Sequence, residues 1–355
     1  MADLLPALGK ISPEFFDRAI LPHLGAPSGK VLVGPRHGVD NGIVEVAEGI
    51  VLAITTDPVF VVPEYGWERA GWFAVHILAS DAATSALPPA FATFDLNLPP
   101  AIREEELEIL WRTIDAECRA LGISIVAGHT ARYEGCSFPM VGGATIAALG
   151  SSTQYVTPAM AEPEDQVLMT KGPAIEATGL FGVTFADQIG KALGPETARE
   201  AAKLFEQMTV VRDCRIAAAI GVRHRGVTAM HDATECGLYG GLVEVAQASQ
   251  VGMRIEKEAI PVPEVVSKVC DHFGMDPFAA ISEGTLVLTC KPFRAQALLA
   301  AFAGSGIPAA LVGEVTEREK GLVLIEGGRE KELSHPRVDP FWAAYSAALA
   351  EAKRG

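Results

Sequence analysis

Three aspartates are the first residues of this 355-residue chain that could carry chemistry, because each is a single acid in a segment with few charges. Asp57 ends an apolar run and precedes a proline, Asp81 lies within an apolar stretch, and Asp40 is flanked by glycines. Burying a carboxylate is costly unless it is paired or metal-bound. Mg²⁺ takes oxygen ligands and often completes its shell with substrate phosphates. Strand-end carboxylates that converge in one cleft would therefore form a magnesium site.

Each aspartate also has a purely structural interpretation. Asp57 before a proline is a common turn former. Asp81 follows a serine and could cap a helix restart, and Asp40 with the Asn41-Gly42 pair could form a hairpin turn. Spacing alone does not show that the three carboxylates converge, so both interpretations stay open.

Polar residues next to glycine form a second motif, Gly128-His129-Thr130, placed directly after a predicted strand. Glycine lets the backbone approach a ligand, and the histidine and threonine can donate to phosphate. His129 could equally be an ordinary loop residue. Phosphate binding is therefore one of two interpretations of this motif.

Two further acidic motifs lie in the second half of the chain. His231 and Asp232 fall in the segment 230–237, between a predicted strand and a predicted helix. There an Asp or Thr could cap the helix, or the cluster could favour an anion at the helix N-terminus. Glu283 is a lone acid before a glycine at a strand edge, which indicates a site or a buried pair. The phosphate-loop, dinucleotide, serine-hydrolase and zinc-protease motifs are absent from the sequence.

Apolar runs that alternate with helical patterns predict a mixed fold, either α/β or α+β. An uncharged, then proline- and glutamate-containing segment follows Gly150, and we place a domain boundary there, giving domains 1–150 and 151–355. The predicted strands and helices that position the motifs are the following: strands within 44–56 on either side of Gly49, then 91–98, 123–127, 140–149, 167–170, 227–231, 280–288 and 310–315; helices 71–85, 107–121, 198–220, 239–249 and 292–302.

Composition narrows the class of protein. The 29 basic and 44 acidic residues give a net charge of −15, which argues against binding to bare nucleic acid or an anionic membrane. The longest uncharged stretch, 135–161, is broken by prolines and glycines and does not form an apolar helix of about 20 residues. The N-terminus lacks the basic region of a signal peptide. Six cysteines without a C-x-x-C pair favour a reduced, cytoplasmic protein.

Taken together, these segments resemble the aminoimidazole ribonucleotide synthetase (PurM-like) superfamily, and within it the hydrogenase-maturation HypE branch. Selenophosphate synthetase and thiamine-monophosphate kinase belong to the same superfamily. The matching segments follow the same order over about 250 residues. They are Thr55-Thr56-Asp57 with Val62-Pro63, Ser80-Asp81 with Ala86-Leu87-Pro88, Gly128-His129-Thr130, His231-Asp232-Ala233-Thr234, Ile260-Pro261-Val262, Met275-Asp276-Pro277-Phe278 and Ser282-Glu283-Gly284.

The resemblance implies a two-domain, PurM-like chain with an α/β N-terminal half and an α+β C-terminal half. It also implies that the chain binds ATP and Mg²⁺ and dimerises through N-terminal strands that form a barrel. The implied chemistry is ATP-dependent activation of an oxygen, or transfer of phosphate to a small molecule or a partner-carried group. The implied roles of single residues, by position, are metal binding for Asp40, Asp57 and Asp81; nucleotide or phosphate binding for Asn41, Thr56, Gly128, His129, Thr130 and Lys171; and catalysis beside the second substrate for His231, Asp232 and Glu283.

The chain also departs from the pattern of its relatives. Asn41 stands where relatives often have a second aspartate, and His129 stands where HypE proteins have an aspartate. The last cysteine is Cys290, so we expect no nitrile-forming dehydration on a terminal cysteine. The sequence therefore predicts an ATP- and Mg²⁺-dependent enzyme, with a non-catalytic nucleotide-binding scaffold or maturation factor as the alternative.

Overall fold

The computed structural model describes residues 11–352. The expectations for residues 1–10 and 353–355 lie outside the described residues. The described part of the N-terminal half contains one short helix, two long ones and a sheet. Its elements are α1 (Pro13–Ala19), β1 (Val31–Val33), β2 (Gly42–Ala47), β3 (Ile50–Phe60), α2 (Trp67–Thr84), β4 (Pro89–Leu98), α3 (Glu104–Leu121), β5 (Ser124–Arg132) and β6 (Met140–Ser151), with 3₁₀ turns Leu21–His23 and Pro63–Tyr65.

The C-terminal half contains a second sheet and eight described helices. Its elements are β7 (Gln166–Thr170), α4 (Ile175–Thr184), α5 (Ala186–Leu193), α6 (Pro195–Lys203), α7 (Val211–Ile220), β8 (Val227–Asp232), α8 (Gly237–Ser249), β9 (Gly252–Glu256), α9 (Glu264–Phe273), β10 (Leu286–Cys290), α10 (Pro292–Gly304), β11 (Ala309–Thr316), β12 (Leu322–Glu326), β13 (Arg329–Glu332) and α11 (Pro340–Ala352). The predicted boundary at residue 150 falls at the end of β6 and stays a prediction.

The first sheet has the strand order β1-β2-β3-β6-β4-β5 and is antiparallel except for the β4–β5 pair. Residues alternate between its two faces, as the pleat requires. One face is buried beneath α2 and α3, through residues such as Ala53, Phe94 and Ile146. The opposite face retains half-exposed apolar side chains, among them Ile50 and Leu149.

The second sheet has the order β13-β12-β9-β11-β7-β10-β8, and among these strands only β12 and β9 pair in parallel. Its edge strand β8 contacts α2 of the first half. Consequently one continuous core contains Leu78 of α2 together with Met230 of β8 and Leu288 of β10. None of the described helices is both long enough and apolar enough to cross a membrane.

The structure corrects three predicted elements. The predicted strand 123–127 does not stop at Gly128, because parallel pairing with β4 continues from the Phe94–Gly128 pair to the Leu98–Arg132 pair. The predicted helix 198–220 is broken between α6 and α7, where the Val210 N–H donates to Ser80 Oγ at 2.9 Å. The predicted strand 280–288 begins only at Leu286, so Glu283 lies in a loop.

Candidate functional site

An acidic cluster lies where the last turn of α2 meets the end of β8. We use the name acidic cluster for five residues, Asp40, Asp57, Asp81, Asp232 and Glu283. Asp81 comes from α2, Asp57 from within β3, Asp232 from the last position of β8, and the other two from loops. The structural interpretations of the aspartates are wrong: β3 continues past Asp57, α2 continues past Asp81 without a break, and the tight turn before β2 is centred on 37–38, ahead of Asp40.

His231 joins the acidic cluster to helix α8. Its Nδ1 lies 2.8 Å from Asp40 Oδ2, and its Nε2 lies 2.8 Å from Glu244 Oε2. Burial lowers the pKa of the imidazole, but the Asp40 and Glu244 carboxylates outweigh burial and raise it well above its ordinary value. A doubly protonated ring also lets both nitrogens donate. The raised pKa favours the charged ring, which pairs with both carboxylates, and the catalytic role of His231 stays a prediction.

Asp81 is held by neighbouring polar groups. Thr55 Oγ1 donates to its Oδ2 at 2.9 Å, and Asn41 Nδ2 donates to its backbone carbonyl at 2.7 Å. Burial, followed by the charges of Asp232, Asp40 and Asp57, raises the pKa of Asp81 well above its ordinary value. A carboxylate in the last turn of a helix also faces the negative end of the helix dipole. Its position is costly for folding and indicates a functional role.

Asp232 and Glu283 are buried acids with unsatisfied oxygens. Neither carboxylate oxygen of Asp232, nor Oε2 of Glu283, has a hydrogen-bond partner among the described residues. Burial is the largest cause that raises the pKa of each carboxyl, followed by the charge of Glu283 for Asp232 and of Glu176 for Glu283. Buried polar atoms are nearly always satisfied in native proteins, so these oxygens indicate a missing partner.

The donor set of the acidic cluster fits a divalent cation. Ligand atoms of Asp40, His231 and Asp232 lie within 4.8 Å of one another. The charges of Asp40, Asp57 and Asp232 all act on Asp81, so these four carboxylates lie near one another. Mg²⁺ prefers such oxygen ligands, and a cation would satisfy the Asp232 oxygens. The residues that the sequence assigned separately to metal and to second substrate thus share one cluster.

Lys171 is buried beside the acidic cluster with all three of its donors in use. Its Nζ lies 2.7 Å from Asp213 Oδ1, 2.9 Å from the Thr209 carbonyl and 2.8 Å from the Gly284 carbonyl. An ammonium group has three donors, so Lys171 fixes the loop that carries Glu283. Nucleotide binding by Lys171 stays a prediction. What the structure shows is that Lys171 anchors the loop of Glu283 through the Gly284 carbonyl.

The motif Gly128-His129-Thr130 lies inside β5, at the exposed edge of the first sheet. Gly128 shares a row of the sheet with Asp57, but three strand spacings separate them, roughly 14 Å. Thr56 precedes Asp57 and projects from the opposite, exposed face, where Thr145 Oγ1 donates to its hydroxyl at 3.2 Å. These residues are not brought together with the acidic cluster, and their nucleotide contacts stay predictions.

Neither Asp232 nor a threonine caps α8, which begins after Cys236 without a side-chain cap. Sequence reasoning missed Glu244 and Glu176, both of which contact site residues. The signal was present, because each is a lone acid in an apolar helix of the C-terminal half. The sequence prediction of lone acids in apolar segments rested mainly on the first 81 residues and did not include these two.

Comparison with known proteins identifies the family models that the chain matches. Residues 38–153 match the AIR synthase related protein N-terminal domain, and residues 162–325 match the corresponding C-terminal domain. Carbamoyl dehydratase HypE of Rhodobacter capsulatus is 30% identical over 282 residues, which cover 78% of each chain.

Solved structures show the same architecture. The crystal structure of Escherichia coli HypE, a hydrogenase maturation protein, matches with a TM-score of 0.67 and 25% identity, covering 81% of this chain and 87% of the other. A HypE crystal structure in complex with ATP matches with a TM-score of 0.63 and 21% identity, covering 91% and 93%. The predicted PurM-like, two-domain mixed architecture is confirmed by these matches.

Proposed function

Because the chain belongs to the AIR synthase-related family, we propose that it is an enzyme that binds ATP and Mg²⁺ at the acidic cluster. It uses the nucleotide to phosphorylate or otherwise activate an oxygen of a small substrate or of a group carried by a partner, in dehydration-type chemistry. The observation that carries this proposal is the convergence of single acids from β3, α2, β8 and two loops, with the Asp232 oxygens left without a hydrogen bond among the described residues.

The proposed cation site has Asp40, Asp57, Asp81 and Asp232 as ligands. When bound, Mg²⁺ would neutralise the charge of the nucleotide phosphates at this otherwise acidic site. His231 orients Asp40 through its Nδ1 contact and is itself oriented by Glu244. The raised pKa of Glu283, caused chiefly by burial, favours a proton on its carboxyl group that it could donate to a leaving oxygen.

The relatives support this assignment at the level of chemistry. One is described as a carbamoyl dehydratase and another was crystallised with ATP. The first description fits a site that removes water from its substrate, and the second fits a site that binds a nucleotide. The second substrate of this chain is left as a class, an oxygen-bearing group that ATP can activate.

Mg²⁺-dependent nucleotide binding tests the proposal directly. In the wild type, Mg²⁺ with ATP should raise the melting temperature, because a ligand at 100 times its Kd stabilises by about 2.7 kcal/mol. Asp57→Asn should abolish the shift, since it removes a proposed ligand. Asp187→Asn, an exposed acid on α5, is the matched control and should behave like the wild type. A wild type that is not stabilised by any nucleotide, with or without Mg²⁺, contradicts the proposal.

A non-catalytic nucleotide-binding scaffold is the alternative. It is favoured by the contact between His231 and Asp40, which gives one carboxylate of the acidic cluster a partner within the protein itself. Nucleotide-induced stabilisation without release of ADP, AMP or phosphate, across candidate substrates and partners, would support the scaffold. Turnover that disappears in Asp57→Asn would exclude it.

A further inference from the structure

Two loops of the C-terminal half carry or follow the buried acids of the site. The 232 loop, residues 233–237, follows Asp232, and the 283 loop, residues 279–285, contains Glu283. They contact each other directly: the Ala233 N–H donates to the Thr285 carbonyl at 2.9 Å, and the Ser282 N–H donates to the Thr234 carbonyl at 3.2 Å. Their relative position therefore sets the distance between the two acids.

Asp339 connects these loops from outside the acidic cluster. Its Oδ2 accepts the Cys236 N–H at 2.7 Å, and its Oδ1 accepts the Phe341 N–H at 2.8 Å. The backbone of Ile281 also lowers the pKa of this carboxyl group, so the 283 loop lies close to it. One buried carboxylate, only 3% exposed, thus bonds the 232 loop and the start of α11 beside the 283 loop.

The position of Asp339 suits a carboxylate. It directly precedes α11 and caps it through the Phe341 N–H, and it also lies at the start of α8 through the Cys236 N–H. The N-termini of helices favour negative charge, and an aspartate is a preferred cap. Two helix N-termini therefore stabilise one carboxylate that also spans both site loops.

The 283 loop is held on its other side by α4. The Glu283 N–H donates to Glu176 Oε2 at 3.0 Å, and the Ile175 N–H donates to Ser282 Oγ at 3.2 Å. With Lys171 bonded to the Gly284 carbonyl, the loop is fixed on this side, and on the other side two backbone hydrogen bonds join it to the 232 loop. Asp339 completes the arrangement on that side.

We propose that Asp339 is a positioning residue for the reaction, because it holds the 232 loop against the 283 loop and so fixes the spacing between Asp232 and Glu283. This inference rests on the proposed function for its kinetic consequence. Its structural part, the connection of the two loops, stands on the contacts of Asp339 alone.

Asp339→Asn tests the proposal because asparagine remains a good helix cap but offers a single acceptor oxygen. It can serve the Phe341 or the Cys236 N–H, and the amide hydrogens then face the other donor. Since a misplacement of about 1 Å can cost about 10²-fold in rate, we expect kcat to fall 10- to 100-fold. The affinity for Mg²⁺ with ATP should stay within about threefold, because Asp40, Asp57 and Asp81 lie outside both loops and Asp232 is held in the sheet by the pairing of β8 with β10.

Gln188→Ala is the matched control. Gln188 Nε2 donates to the Ala348 carbonyl in the second half of α11, so its removal loosens this helix without touching either loop. We expect a lower melting temperature and an unchanged kcat. If Asp339→Asn lowers the melting temperature as Gln188→Ala does and leaves kcat unchanged, Asp339 is a structural cap and the proposal is overturned.

Hydrogen exchange separates this inference from the proposed function. Amides of both loops should exchange faster in Asp339→Asn than in Gln188→Ala, whether or not the chain turns ATP over. Unchanged protection in the two loops would overturn the inference even in an active enzyme. A wild type without any turnover would overturn the proposed function and the kinetic role of Asp339, and the exchange result would still decide whether Asp339 connects the loops.

Discussion

At the scale of single residues, buried acids are the feature that distinguishes this chain. Asp81, Asp232, Glu283 and Glu176 all have carboxyl pKa values raised chiefly by burial. A fold selected only for stability would not place four such groups together, because each disfavours its own ionised form and that of its neighbours. The arrangement is explained if a cation and a polyphosphate complete the site.

Glu176 gives these acids a measurable pH dependence. Burial, with smaller contributions from Asp339, Asp57 and Glu235, raises its pKa to about 8 against the opposing Glu283 N–H. Between pH 5 and 8 the folded state thus keeps a proton that the unfolded chain has lost. The free energy of unfolding must therefore fall as pH rises through this window, by at most about 1.4 kcal/mol per pH unit for this group.

Urea unfolding of Glu176→Gln from pH 5.5 to 8 measures that contribution. The variant cannot ionise, so its free energy of unfolding should fall less steeply with pH than that of the wild type. Acids that do not interact with Glu176 titrate alike in both proteins and cancel in the difference, whereas Glu283 interacts with Glu176 and contributes to it. Glu200→Gln, at an exposed position on α6, should parallel the wild type. Parallel curves for Glu176→Gln and the wild type would show that Glu176 is ionised in the folded state.

At the scale of elements, β5 explains why Gly128 is a glycine. A Cβ at this position would lie 2.6 Å from the Phe94 carbonyl oxygen of the paired strand β4, a distance that real Cβ atoms do not tolerate. The close approach of two strands thus accounts for the residue without a ligand. In the sequence, a glycine that strand packing requires looks the same as a glycine that lets a phosphate approach the backbone.

Gly128→Ala should therefore destabilise the protein by about 1–3 kcal/mol, the usual cost of overpacking. Gly143→Ala in the same sheet is the control, since its Cβ would meet only the Asp57 carbonyl at an ordinary 3.5 Å. Chemical denaturation of both variants measures the difference. If Gly128→Ala is as stable as Gly143→Ala but loses the stabilisation by Mg²⁺ with ATP, the glycine serves the ligand instead.

At the scale of the whole molecule, the uncovered face of the first sheet is the main feature that a single chain leaves unexplained. Ile50, Phe91 and Leu149 on this side are 37–44% exposed. Contiguous apolar surface of this kind marks an interface. We propose that two chains associate through this face, as the family resemblance implies.

The double substitution Phe91→Lys with Leu149→Lys should convert a dimer into a folded monomer, because it places charges on the proposed interface while leaving the buried face intact. Light scattering after size-exclusion chromatography measures the mass against the 37.4 kDa of one chain. Ile109→Lys, an equally exposed apolar position on α3, should leave the mass unchanged. A wild type that is monomeric at all concentrations would contradict the interface.

The sequence by itself determined the mixed architecture and the acids at the centre of the site. Apolar periodicity identified the helix 107–121, which is α3. The isolation of Asp57 and Asp81 among apolar residues singled them out, and Asp232 was singled out as part of the motif 230–237. These signals are local, because the pattern of apolar residues that indicates a buried helix or strand lies within one short segment of the sequence.

Only the tertiary structure decided which of these residues meet. It joined His231 to Asp40 across 191 positions of sequence, placed Glu283 in a loop held by Glu176, and kept His129 at a distant sheet edge. It also brought Asp339 to both site loops. The physical reason is that such contacts depend on how two sheets and their helices pack together, and residue spacing along the chain carries no record of that packing.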